Sequence, residues 1–173
     1  MDSPLFDMKR VVITGLGLVT ALGNDVPTCW ANLIAGKSGA GAITHFDSSK
    51  FKTQFACEVK DLDVSNLFDP KELRRYDRYI HLAVKSAEEA INNAGLHIAQ
   101  ENPLRCGVIY GSGMGGVKTL DTNIGEFGAG DGTPRYSPFF IPMIITNMAA
   151  GMLAIRYGFK GGNYATTSAC GPC

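Results

Sequence analysis

The side chain best placed for covalent chemistry is Cys170, which follows Thr167, Ser168 and Ala169 at the end of a run with strand character, Asn163 to Thr167. Small residues between a strand and a cysteine permit the sharp turn that exposes a nucleophile. Free N–H groups at the start of a following helix would lower the thiol pKa. Composition alone favours a plainer role, a buried structural cysteine. A third chemistry occupies the same place, because Cys170-Gly171-Pro172-Cys173 has the spacing of a redox dithiol. Such dithiols follow an aromatic-rich strand and open a helix, whereas here the sequence stops at the second cysteine.

Two glycine motifs suggest phosphate chemistry and fail on spacing. Gly15-Leu16-Gly17 follows an apolar run, but Thr20 stands where a dinucleotide fingerprint needs its third glycine, so a structural strand-to-helix turn is the better reading. Gly36-Lys37-Ser38 imitates the end of a nucleotide loop, yet Ala31 stands where that loop needs its first glycine. Gly111-Ser112-Gly113-Met114-Gly115-Gly116 follows another apolar run, and close backbone packing beside a pocket is preferred there to an anion nest. Lys71, Arg74, Arg75, Arg78 and Lys85 face only Glu72 and Asp77 between positions 71 and 85, a local excess of +3 on a chain whose net charge is zero. The steps of three and four from 71 to 74 and 75 put three cations on one helix face. A solvated face and a dock for an acidic partner remain equally open.

These residues need an α/β scaffold. Arg10 to Thr14 reads as a strand covered on both faces, and Asp25 and Pro27 start a helix that runs to Gly36. Phe55 to Val59 reads as a short strand. Asp69, Pro70 and Glu72 form a capping-box start for a long amphipathic helix through Leu73, Tyr76, Ile80, Ala83, Val84, Ala87, Ile91 and Ala94, bent near Asp77 and stopped by Gly95. Arg105 to Tyr110 reads as a strand, Val117 to Phe127 as a helix, and the stretch after Pro142 as a core helix with a narrow face of Ala149, Ala150, Gly151 and Ala154. Alternating strands and helices of this kind imply a layered fold with a mostly parallel sheet. Residues 1–8 read as a loose lead-in and 9–173 as one domain.

Balanced charge, 16 Lys and Arg against 16 Asp and Glu, argues against a nucleic-acid partner. No apolar run approaches the ~20 residues of a membrane span, and the start lacks a secretion signal. A cytoplasmic protein is expected, with Cys29, Cys57 and Cys106 as buried, reduced thiols. Glycine reaches about 12% against a usual ~7%, and nine of the 21 glycines fall between Gly107 and Gly132.

Taken in series, RVVITGLGLVTALGN, LIAGKSG, RRYDRY, CGVIYGSGMGG, SPFFIP, TNM and GGNYATTSAC resemble the N-terminal part of a β-ketoacyl-[acyl-carrier-protein] synthase of the elongating type. The likeness runs from Lys9 to Cys170. It implies a thiolase-like layered fold of which this chain supplies the N-terminal half, so that the chain alone is incomplete and inactive. It implies an acyltransferase of fatty acid or polyketide synthesis in which Cys170 takes the acyl group and its own N–H is one oxyanion donor. Lys71, Arg74 and Arg75 then hold the acidic acyl carrier protein, Met114 borders the acyl pocket, and the full protein is a homodimer. No metal or bound cofactor is implied; the substrates ride on the phosphopantetheine of the carrier. The cysteine argues against chain-length-factor relatives, which lack it. Gly171-Pro172-Cys173 departs from the small residues usual after the nucleophile. His45, His81 and His97 match none of the family's catalytic histidines and receive no role. A dithiol redox module and a silent scaffold fragment stand as the alternatives.

Overall fold

The computed structural model describes residues 10–168. Its elements in chain order are α1 (Val26–Ile34), β1 (Gly41–Ala42), β2 (Phe55–Ala56), α2 (Pro70–Leu73), α3 (Arg78–Asn93), β3 (Val108–Gly111), α4 (Val117–Ala129), α5 (Phe140–Ile144), α6 (Met148–Tyr157) and β4 (Asn163–Thr166). The lead-in expected over residues 1–8 lies outside the described residues.

Side-chain caps set the starts of α1, α2 and α3. Asp25 accepts from the N–H of Thr28 at 2.7 Å, ahead of Pro27 in the first turn of α1. Asp69 accepts from the N–H groups of Lys71 and Glu72, and Glu72 closes the capping box by accepting from the N–H of Asp69. The expected long helix is two helices. Asp77 adopts an extended conformation and caps a new start, so the chain turns between Leu73 and Arg78 rather than bending within one helix. The stretch around Pro142 also divides: proline sits inside α5, and Ile145 is extended before α6 begins. The Tyr79 hydroxyl donates to the Ile145 carbonyl at 2.6 Å and pins that junction to α3. Burial, with help from the Asp77 charge, pushes the Tyr79 pKa up to about 12, so the donor stays protonated.

The core lies where α3 crosses α6. Ile80, Val84 and Ala149 are wholly buried, and Ala83, Met152, Leu153, Val64, Leu67 and Phe68 complete the cluster. Val64, Leu67 and Phe68 come from an irregular segment that carries no periodicity to announce it. On α6 the buried face is Ala149, Ala150, Met152 and Leu153; Gly151 faces open space, so the narrow Ala-Gly face is only half used.

β3 and β4 pair in parallel, with Val108, Ile109, Tyr110 and Gly111 opposite Asn163, Tyr164, Ala165 and Thr166. Alternation sends Val108 and Tyr110 into the core and leaves Ile109 and its neighbour Tyr164 on the bare outer face, 77% and 64% exposed. β1 and β2 form a separate antiparallel pair.

The run Arg10 to Thr14 is not a strand: it has no ladder partner among the described residues, and Val11 and Ile13 are 91% and 83% exposed. The backbone from Gly15 to Leu18 is, by contrast, firmly held. A side-chain β-carbon at Gly15 or Gly17 would collide with the carbonyl of Ala90 or Ser86, which brings this backbone directly onto α3. Asn93 and Glu89 then accept from the N–H groups of Leu16 (3.0 Å) and Leu18 (2.9 Å), and the second Glu89 oxygen accepts from Val26 (2.7 Å). The Gly15-Leu16-Gly17 turn is therefore structural, as expected, but it packs on α3 and follows no strand among the described residues. Of the three isolated cysteines only Cys29 is buried; Cys57 is exposed and Cys106 half-buried, because their segments lie on the surface and not in the core.

Candidate functional site

β4 is the strand that leads toward Cys170. Its pairing with β3 continues past the last strand residues, since the N–H of Ser112 donates to the Thr166 carbonyl at 3.0 Å. The glycine-rich loop after β3 is thus carried alongside the end of β4, and the Thr167 hydroxyl meets that of Thr146 at 3.2 Å. Cys170, with Cys173 and the whole dithiol motif, lies outside the described residues.

The loop is built by close approach. Gly115 has a left-handed φ of 68°, and a β-carbon on it would strike the Ile144 carbonyl; one on Gly116 would strike that of Met143. The N–H of Gly116 donates to Ile144 at 3.2 Å and that of Gly115 to the Ser112 hydroxyl at 3.2 Å. Both glycines are required to seat the loop on α5, in line with the packing role expected of them. Between them and β3 stands Met114, its side chain 73% exposed.

The three cations expected on one helix face are all exposed, but not on one helix. Lys71 belongs to α2, Arg74 is its C-cap residue and Arg75 lies beyond it, held by a turn bond from its N–H to the Glu72 carbonyl. Asp77 is the reason, because its cap starts α3 and ends the continuous register assumed for positions 71 to 75. The side chains diverge accordingly. The Arg75 guanidinium stacks over the Phe139 ring at 5.0 Å, while Arg74 lines a cleft of about 480 Å³ between α3 and α4.

Asp77 is the residue that sequence reasoning undervalued. Its buried carboxylate accepts from the hydroxyl of Thr119 at 2.6 Å and the N–H of Thr119 at 3.0 Å, and so ties α4 to α3. The signal was present, an Asp at a suspected bend, but its tertiary partner 42 positions away was not legible. Of the histidines, His45 approaches Glu58 at 3.9 Å and His97 precedes a 3₁₀ turn, Ile98–Gln100. His81 sits edge-on to Phe68, and burial moves its pKa below the ordinary value, opposed by the Asp77 charge and reinforced by Arg78. Among the described residues no three His, Cys, Asp or Glu side chains are grouped to hold a metal. No helix among them is long and apolar enough to cross a membrane.

Comparison with known proteins places this geometry. Residues 8–171 match the family model of the β-ketoacyl synthase N-terminal domain. The chain is 45% identical over 164 residues to 3-oxoacyl-[acyl-carrier-protein] synthase 2 of Coxiella burnetii, covering 95% of this chain and 39% of that protein. It is 44% identical to the enzyme of the same name from a Synechocystis species, with the same coverage. Among solved structures, the ishigamide ketosynthase/chain length factor superposes with a TM-score of 0.80 at 28% identity, over 90% of this chain and 39% of the other. A β-ketoacyl synthase from Burkholderia phymatum superposes at 0.68 with 27% identity, over 90% of this chain and 38% of the other. The chain belongs to the β-ketoacyl synthase family and has the thiolase-like fold of its relatives. It spans 39% of the length of the curated relatives named here.

Proposed function

We propose that this chain is the nucleophile-bearing part of a 3-oxoacyl-[acyl-carrier-protein] synthase, an acyltransferase that elongates acyl chains in fatty acid or polyketide synthesis. The observation that carries the reading is the register of β3 on β4, which sets the glycine-rich loop beside the end of the strand leading to Cys170, within a chain 45% identical to such a synthase. In the proposed reaction the Cys170 thiolate attacks the carbonyl of an acyl thioester on the carrier protein. The tetrahedral intermediate collapses, the phosphopantetheine leaves as its thiolate and takes a proton from solvent, and the acyl group rests on the Sγ atom. Loss of CO₂ from a malonyl thioester then leaves a carbanion, which attacks the acyl-enzyme carbonyl. The C–S bond to Cys170 breaks and a 3-oxoacyl carrier thioester departs. The N–H of Cys170 donates one hydrogen bond to the oxyanion in each half.

In this reading the protein binds no cofactor of its own and works as a cytoplasmic homodimer. The carrier's phosphopantetheine delivers both substrates. Met114, exposed in the loop beside β4, borders the acyl pocket. Lys71, Arg74 and Arg75 supply an exposed cationic surface for the acidic carrier, and the absence of any ion pair to them among the described residues supports that use.

Incubating a full-length synthase that contains this chain with an acyl-carrier thioester and mapping the adduct by mass spectrometry tests the nucleophile. Acylation at Cys170, lost in Cys170→Ala, is expected. The exposed Cys57 is the internal control, since indiscriminate thiol chemistry would label it as well. Reversing Arg74 and Arg75 to Glu should weaken carrier binding at least about tenfold at low salt and less at high salt; unchanged affinity would reject the docking face.

A further inference from the structure

The cleft that Arg74 enters is more than the edge of a docking face. Its lining includes Arg74, Arg78 and Lys118, with Thr122, Ser137 and Asn123 among its neutral residues. Asp77 is the one carboxylate in the lining. Its oxygens are already taken by the N–H of Tyr79 and by the N–H and hydroxyl of Thr119. The cations are not similarly occupied. Among the described residues Arg74 and Lys118 have no hydrogen-bond or acidic partner, and Arg78 spends one N–H on the Val59 carbonyl at 2.7 Å. An arginine has five such donors in a planar fork.

His81 lines the same space, and its buried Nε2 has no partner. A second cavity of about 510 Å³ shares Arg78, Lys118 and Thr122 with the first, so two of the cations stand between the two spaces. Three cations against one carboxylate, whose hydrogen bonds all come from neutral donors, leave the cleft with a net positive lining and form a receptor for a compact oxyanion.

We propose that this cleft between α3 and α4 is a binding site for a doubly charged oxyanion of the phosphoryl class, held by Arg74, Arg78 and Lys118. Arg74 also belongs to the carrier face, so the bound anion and the carrier protein compete. That consequence, unlike the site itself, rests on the docking reading.

Sulfate is the suitable probe, because its charge stays fixed across neutral pH while that of phosphate changes. Calorimetric titration of the protein, at ionic strength held constant with chloride, should give saturable binding of one sulfate per chain. Lys118→Ala should weaken it by about tenfold, the loss expected for one charge-assisted hydrogen bond. Lys118 is exposed, and matching melting curves for the two proteins would show that the fold is kept. Sulfate that fails to saturate, or that binds Lys118→Ala as tightly as the parent, overturns the site. Carrier titrations with and without sulfate separate the two readings. Competition in the parent that disappears in Lys118→Ala supports both, and saturable sulfate binding without competition leaves the cleft assigned and removes the docking face.

Discussion

Two apolar stretches of this chain meet opposite fates. Around Ile80 and Val84, α3 buries Ile80, Ala83 and Val84 against α6, β3 and the irregular segment holding Val64, Leu67 and Phe68. Around Val11 and Ile13 a run of equal hydrophobicity stands almost fully exposed, and the outer face of β3 and β4 shows Ile109 and Tyr164 to solvent. The total accessible surface is 12519 Å². A compact monomer of 18.5 kDa would expose roughly 8,200 Å². Hydrophobicity states a demand for burial, and long-range partners decide whether the demand is met.

That contrast can be broken by mutation. Ile80→Ala should destabilise the chain by about 4 kcal/mol, since a wholly buried side chain leaves a cavity. Ile13→Ala should change stability by less than about 0.5 kcal/mol. Urea unfolding of both proteins measures the pair, and comparable losses would mean that the N-terminal run is buried after all. Asp77→Ala should rank next at about 3 kcal/mol, because it removes a helix cap and the charged acceptor that holds Thr119. Asp77→Asn should recover part of that loss in the same unfolding experiment.

The smallest effect concerns His81. Burial lowers its folded pKa below the ordinary 6.5, so on unfolding the group takes up protons at mildly acidic pH. The unfolded state binds more protons in that window, and stability rises with pH there. Stability should therefore be full above about pH 6.5 and decline as the pH falls below it. His81→Gln should flatten this slope in melting curves recorded across pH 5 to 8, and an unchanged slope would assign it to other groups.

Local chemistry was legible where neighbouring residues settle it. Asp25 before Pro27 and the Asp69–Glu72 box fix helix starts within one turn, Gly95 with φ of 61° ends α3, and the glycines at 115 and 116 announce a close approach. Met114, Lys71, Arg74 and Arg75 were each found on the surface, in segments named from the sequence, although the face they share is not a single helix face. Less legible was anything that depends on a partner far along the chain: Asp77 with Thr119, Glu89 with Leu18 and Val26, and Tyr79 with Ile145.

By itself the sequence determined the starts of α1 and α2, the strands leading toward Cys170 and the family. These arise from short-range sterics and hydrogen bonding, which neighbouring residues carry among themselves. Tertiary structure alone decided that the long helix splits at Asp77, that the first apolar run stays uncovered and that three cations gather in one cleft. Each depends on groups brought together from distant positions, where small differences in burial and hydrogen bonding override local propensity.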